Sequence, residues 1–84
     1  MRRAIEFTGS ARRDLRRLDR AVAARILSAL ERFAETGEGD ITRLHGTSDE
    51  LRLRVGDWRV RFDYIDGSTI RVLRVLPRGR AYER

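Results

Sequence analysis

Leu51-Arg52-Leu53-Arg54-Val55-Gly56-Asp57-Trp58-Arg59-Val60-Arg61-Phe62 alternates apolar and polar side chains on both sides of a glycine–aspartate pair. A period of two places every second side chain on the same face of a strand. Glycine at the first central position of a two-residue loop suits a type II′ turn, whose twist matches that of paired strands. A two-residue Gly56-Asp57 loop then dictates the pairing. Val55 faces Trp58, Arg54 faces Arg59, Leu53 faces Val60 and Arg52 faces Arg61. Leu51, Leu53, Val55, Trp58, Val60 and Phe62 fall on the core side. The other side receives two directly opposed arginine pairs, and like charges directly opposite destabilise a sheet by about 0.2–1 kcal/mol per pair. Structural need does not favour that arrangement. A phosphate-binding surface does, because guanidinium forks bind phosphate oxygens bidentately and stay charged.

Downstream, Asp66-Gly67 is a second hairpin signal, and Ile70–Leu76 is a nearly apolar run interrupted by Arg71 and Arg74 and ended by Pro77. An even-length loop puts Leu73 and Val75 in the core with Val60 and Phe62. Arg74 then joins the arginine face, as does Arg78 if the alternation survives Pro77. Arg80 and Tyr82 follow in the tail. An odd-length loop flips the strand, so the placement depends on register.

Upstream, Arg3–Phe7 is a short alternating strand, and Thr8 or Ser10 offers a helix N-cap. Ala11, Leu15 and Leu18 form one apolar stripe. Arg12, Arg13, Arg16, Arg17 and Arg20 cover the remaining sides and read as ordinary solvated charge. Asp19 is placed to cap a second helix lined by Val22, Ile26, Ala29, Leu30 and Phe33. Thr36-Gly37-Glu38-Gly39-Asp40 stops it. The element order is β-α-α-β-β-β: an α+β fold with a helical hairpin packed on one face of a small, mostly antiparallel sheet, in a single domain over residues 1–84.

Composition narrows the function. The 84 residues carry 19 arginines, no lysine and 13 acids, for a net charge of +6. A chain this short leaves about 35–40% of its unfolded surface exposed, so its core is small. Without cysteine, disulfides and thiolate metal sites are excluded, and the single His45 cannot build a zinc site with carboxylates at any usual spacing. No apolar run approaches the roughly 20 residues that span a bilayer. The opening MRRAIEFTGS lacks the apolar stretch of a signal peptide. These features describe a cytoplasmic domain with no metal, no membrane and an anionic partner.

The segment Leu44-His45-Gly46, the block Arg52–Phe62 and the tail Val72-Leu73-Arg74-Val75-Leu76-Pro77-Arg78-Gly79-Arg80-Ala81-Tyr82 together resemble the RelE/ParE toxin superfamily. The resemblance extends over nearly the whole chain, with the helical hairpin in its expected place. It implies the toxin of a type II toxin–antitoxin module. RelE-like members are ribosome-dependent endoribonucleases that cut mRNA in the ribosomal A site and so inhibit translation, whereas ParE-like members poison DNA gyrase. It further implies a cognate antitoxin, acidic and wrapping the basic face, and no cofactor. Arg52, Arg54, Arg59, Arg78 and Tyr82 match the RelE-type active positions.

Metal-free RNA cleavage needs a base for the 2′-OH proton, cations for the phosphorane charge and an acid for the leaving 5′ oxygen. Arg54, Arg59 and Arg78 suit the charge-stabilising role, and Tyr82 can stack on a base or orient the 2′-OH. Arg52, Arg61, Arg74 and Arg80 complete the RNA-binding set. RelE-like toxins often carry lysines where this chain has Arg52 and Arg54, and arginine is a poor proton acceptor. The base is therefore open among Glu50, Asp57, His45, Tyr82 and a group from the ribosome, and a mechanism of charge and positioning alone is the further alternative. The ordinary alternatives are a loop residue for His45, a core residue for Trp58, a core or rim residue for Tyr64 and a turn residue for Asp57.

Overall fold

A computed structural model describes residues 2–43 and 49–80. Strand β1 (Ala4–Phe7) leads into helices α1 (Gly9–Arg16) and α2 (Arg20–Thr36). Strands β2 (Asp40–Arg43), β3 (Leu51–Val55), β4 (Trp58–Asp66) and β5 (Thr69–Pro77) follow, and a 3₁₀ turn, Arg78–Arg80, closes the described chain. The sheet order is β1-β5-β4-β3-β2. Only the β1–β5 pair is parallel. This is the expected α+β architecture with one added strand.

The added strand is β2. It contains a single large apolar residue, Ile41, which pairs with Leu53. Four residues with one apolar position carry no readable period. Its ladder depends on β3 as a template, and its edge position tolerates Asp40 and Arg43.

Local chemistry accounts for the helix boundaries. Thr8 caps α1: its hydroxyl accepts from Ala11 N at 3.1 Å and donates to Leu73 O at 2.9 Å, tying the helix start to β5. Asp19 occupies the N-cap position of α2, but its carboxylate makes no capping bond, contrary to the sequence expectation. Gly37 ends α2 with φ +78°, and its N–H reaches Phe33 O at 2.8 Å. That left-handed conformation is costly for any residue with a Cβ.

Both helices pack on the same face of the sheet. Ala11, Ile26, Leu30, Phe33 and Ala34 bury against Leu53, Val60, Phe62, Ile70, Val72 and Val75. Phe33 and Phe62 meet edge to face at 5.3 Å, a geometry that aromatic quadrupoles favour. Trp58, Leu15, Leu18, Val22 and Ala29 surround this core as partly buried neighbours.

The β3–β4 register is the one the sequence dictates: Val55–Trp58, Arg54–Arg59, Leu53–Val60 and Arg52–Arg61. Gly56 has φ +60° and no non-glycine described residue has positive φ, the type II′ pattern. The next hairpin differs. Asp66 faces Thr69, so the loop is Gly67-Ser68, held by Asp66 Oδ1, which accepts from Ser68 N and Oγ. Arg61 faces Arg74 but Phe62 faces Val72, so Leu73 is an extra residue in β5. Val72 takes the core position expected of Leu73, with Leu73 only half buried. Such a bulge shifts all later side chains by one position, and it lets Ile70 and Val72 face Ile5 and Phe7 of β1.

Candidate nucleic-acid interface

The face of the sheet away from the helices carries two cross-strand rows. One runs Asp40–Arg54–Arg59–Leu76 and the other Thr42–Arg52–Arg61–Arg74. The opposed arginine pairs are thus neighbours in space, with Arg74 extending the second row. Their environments divide them.

Arg59 is 8% exposed and Arg52 7% exposed. Arg59 Nη1 donates to Gly56 O at 2.9 Å and Trp58 O at 3.0 Å. A buried guanidinium stays charged, so these carbonyls fix a cation at the hairpin end. Arg61 is ion-paired: its Nη2 donates to Glu50 Oε2 at 2.8 Å, and both side chains are largely buried. Arg74 is paired as well. Its Nε and Nη2 donate to the two carboxylate oxygens of Asp14 at 2.8 and 3.2 Å.

Asp14 is an acid whose role the sequence does not reveal. β1 ends opposite Val72, leaving the rest of β5 an open edge. There α1 lies alongside, and Asp14 Oδ2 accepts Val75 N–H at 2.9 Å. Burial raises the Asp14 pKa. The Arg74 hydrogen bond, the Val75 N–H and the charges of Arg74 and Arg17 outweigh it and hold the carboxyl below 3.8. Arg74 is correspondingly raised, chiefly by the Asp14 bond. No sequence signal links the two residues, because they are 60 positions apart.

Arg54 and Arg78 are exposed. Arg54 stands 3.9 Å from Asp40, an open surface pair worth little. Arg78 follows Pro77, which is opposite Trp58, and its N–H donates to Asp57 O at 2.9 Å. The backbone thereby places Arg78 beside the Gly56-Asp57 turn. Arg54, Arg59 and Arg78 consequently converge on one end of the β3–β4 hairpin.

Of the other singled-out residues, Trp58 belongs to the rim of the core. It lines a cleft of about 240 Å³ with Leu18, Leu76 and Pro77. Tyr64 is an exposed rim residue, edge-on to Phe62 at 6.0 Å with the Arg3 guanidinium 5.5 Å above its ring. His45, Tyr82 and the side chain of Arg80 lie outside the described residues. Among the described residues, no three His, Cys, Asp or Glu side chains group to hold a metal ion, and no helix is long and apolar enough to cross a membrane.

Comparison with known proteins extends over the same elements. The chain is similar to the archaeal RelE–RelB complex of Pyrococcus horikoshii, with 27% identity and a TM-score of 0.77, covering 96% of this chain and 100% of the other. It is similar to the RelB–RelE antitoxin–toxin complex of Methanococcus jannaschii at 25% identity and TM-score 0.74, covering 93% and 95%. The RelBE2 toxin–antitoxin complex of Mycobacterium tuberculosis aligns at 26% identity and TM-score 0.75, covering 93% and 100%. No curated protein matches. The family model for the ParE toxin of type II toxin–antitoxin systems matches residues 5–82, from within β1 through both helices and the arginine-bearing hairpin. With that match and the RelE-like fold together, the chain belongs to the RelE/ParE superfamily and is a toxin of a type II toxin–antitoxin system.

Proposed function

We propose that the toxin is a ribosome-dependent mRNA endoribonuclease. The observation that carries the reading is the convergence of Arg54, Arg59 and Arg78 on the Gly56-Asp57 end of the hairpin. The 2′ oxygen forms a bond to the adjacent phosphorus and the P–O5′ bond breaks, leaving a 2′,3′-cyclic phosphate and a 5′-hydroxyl. The phosphorane carries an added negative charge. Arg59, held by two carbonyls, supplies a preorganised cation, and Arg54 and Arg78 supply mobile forks for the flanking phosphate oxygens. Tyr82 stacks on a base or orients the 2′-OH. Arg52 and Arg80 add positive potential, whereas Glu50 and Asp14 offset the charges of Arg61 and Arg74. No step requires a metal ion.

The proton acceptor divides by environment. Glu50 is committed to Arg61, whose guanidinium already occupies one carboxylate oxygen. Asp57 sits in the turn itself and makes no ion pair among the described residues. His45 and Tyr82 complete the set, with a ribosomal group as the alternative. The protein partner in this reading is an acidic antitoxin laid over the basic face, as an antitoxin accompanies the toxin in the Methanococcus jannaschii and Mycobacterium tuberculosis complexes.

A second reading follows from the family match: a ParE-like toxin that inhibits DNA gyrase without cutting RNA. Primer extension on mRNA after induction separates the two. Ordered cuts within codons, lost in Arg78→Ala, support the nuclease. Intact mRNA with an SOS response overturns it in favour of gyrase.

A further inference from the structure

Arg25, on α2, does not share the environment of the arginines around it. Its guanidinium lies against the hairpin turn, with Nη2 2.9 Å and Cζ 3.8 Å from the point a Gly56 Cβ would occupy. Gly56 is required by its φ of +60°, and the guanidinium end of the exposed Arg25 side chain rests in the space that its missing Cβ leaves open. Arg25 is exposed and makes no hydrogen bond or ion pair among the described residues.

From the same residue's carbonyl, Arg59 Nη1 extends a second guanidinium at 2.9 Å. Two cations from different elements therefore approach one glycine. The acid on the turn, Asp57, pairs with neither of them. Elsewhere the close arginines are matched with carboxylates: Arg61 with Glu50, Arg71 with Asp63, Arg74 with Asp14. Like charges held together without an internal counter-charge repel, and an external polyanion relieves that repulsion.

We infer that Arg25 belongs to the RNA-binding end and contacts a backbone phosphate of the strand laid over the Gly56-Asp57 turn. The inference rests on the nuclease reading and adds a helix-borne residue to a site otherwise built on the sheet. A phosphate contact releases condensed counterions, so each one steepens the salt dependence of binding by about 0.7 for single strands.

The test is fluorescence anisotropy with a labelled single-stranded RNA oligonucleotide at about 50–300 mM KCl, where phosphate contacts are salt-sensitive. It compares the wild-type chain, Arg25→Gln, Arg25→Lys and the α1 control Arg12→Gln, with thermal melts confirming that each is folded. The expected result is a slope of log Kobs against log salt shallower by about 0.7 in Arg25→Gln, with wild-type slopes in Arg25→Lys and Arg12→Gln. A folded Arg25→Gln with the wild-type slope overturns the inference and leaves the nuclease reading standing. So does a loss seen only with a poly-glutamate peptide, which would assign Arg25 to an acidic protein. If Arg25→Gln does not fold, Arg25→Ala, a good helix former at an exposed position, is read in its place: a folded variant with the wild-type slope overturns the inference. Salt-independent binding by the wild-type chain overturns the inference, and absence of mRNA cuts after induction overturns the reading beneath it.

Discussion

Asp14 and Arg74 face each other across the open edge of β5, carboxylate fork to guanidinium fork, with bonds of 2.8 and 3.2 Å. The same carboxylate accepts the Val75 N–H. One acid on α1 thus closes an unpaired strand edge and neutralises an arginine that the alternation assigns to the basic face.

Asp14→Ala strands the buried Val75 N–H and is expected to cost about 2 kcal/mol, read as a lower midpoint in urea unfolding. Arg74, partly exposed, regains water. Asp14→Asn keeps an acceptor and should recover part of the loss.

The pH dependence of that interaction has a definite sign. The folded Asp14 pKa is depressed below 3.8, so its contribution is complete above that value and disappears as pH falls through the folded pKa. The stability gap between wild type and Asp14→Asn should be constant from pH 5 to 8 (roughly the window above both carboxyl pKa values). Below about pH 4 it should narrow. A gap that widens on acidification contradicts the assignment.

Arg59 and Arg78 should behave differently on truncation. Arg59→Ala removes a buried donor from two carbonyls and should lower stability by about 1–3 kcal/mol as well as abolish growth arrest. Arg78 is exposed, so Arg78→Ala should change stability by no more than about 0.5 kcal/mol while still abolishing growth arrest. Thermal melts beside an induction assay check both. Arg78→Ala is consequently the cleaner probe of chemistry.

Two ion pairs of similar length predict unequal costs. Arg61–Glu50 and Arg32–Glu38 both close at 2.8 Å, yet the first pair has side chains 22% and 11% exposed and the second 70% and 63%. Glu50→Ala should destabilise by about 2 kcal/mol or more, because it leaves a desolvated cation. Glu38→Ala should cost under about 0.5 kcal/mol and lose even that at high salt. Equal effects in denaturant titrations would refute the burial argument.

Phe62 is completely buried and contacts both Phe33 and Tyr64. Phe62→Ala should cost about 3–5 kcal/mol. An 84-residue domain has a total stability of only about 4–13 kcal/mol, so a large unfolded fraction at 37 °C is expected by circular dichroism.

The β3–β4 hairpin is legible in the sequence because its determinants are local. Gly56 with φ +60° permits the tight turn, and the turn plus a period of two specify which residue faces which from Leu51 to Phe62. The helix stripes are legible for the same reason, since Ile26, Leu30 and Phe33 recur at helical spacing and do bury. Beyond the second hairpin this local logic fails. β5 bulges at Leu73 against β4 and pairs through Val72 with the parallel β1, and no pattern within β5 encodes either feature. β2 is not legible because an edge strand borrows its order from β3.

The charge on the arginines divides along the same line. Sequence alone determines that Arg52, Arg54, Arg59 and Arg61 form opposed pairs on one face, because register is a property of the turn and the alternation. Only the tertiary structure decides which cations remain available. Glu50 comes to Arg61 and Asp14 to Arg74, while Arg54 and Arg78 stay open to solvent and Arg25 arrives at the turn from α2. An ion pair depends on distance in space, and helix packing against a sheet edge brings together charges that are 60 residues apart in the chain.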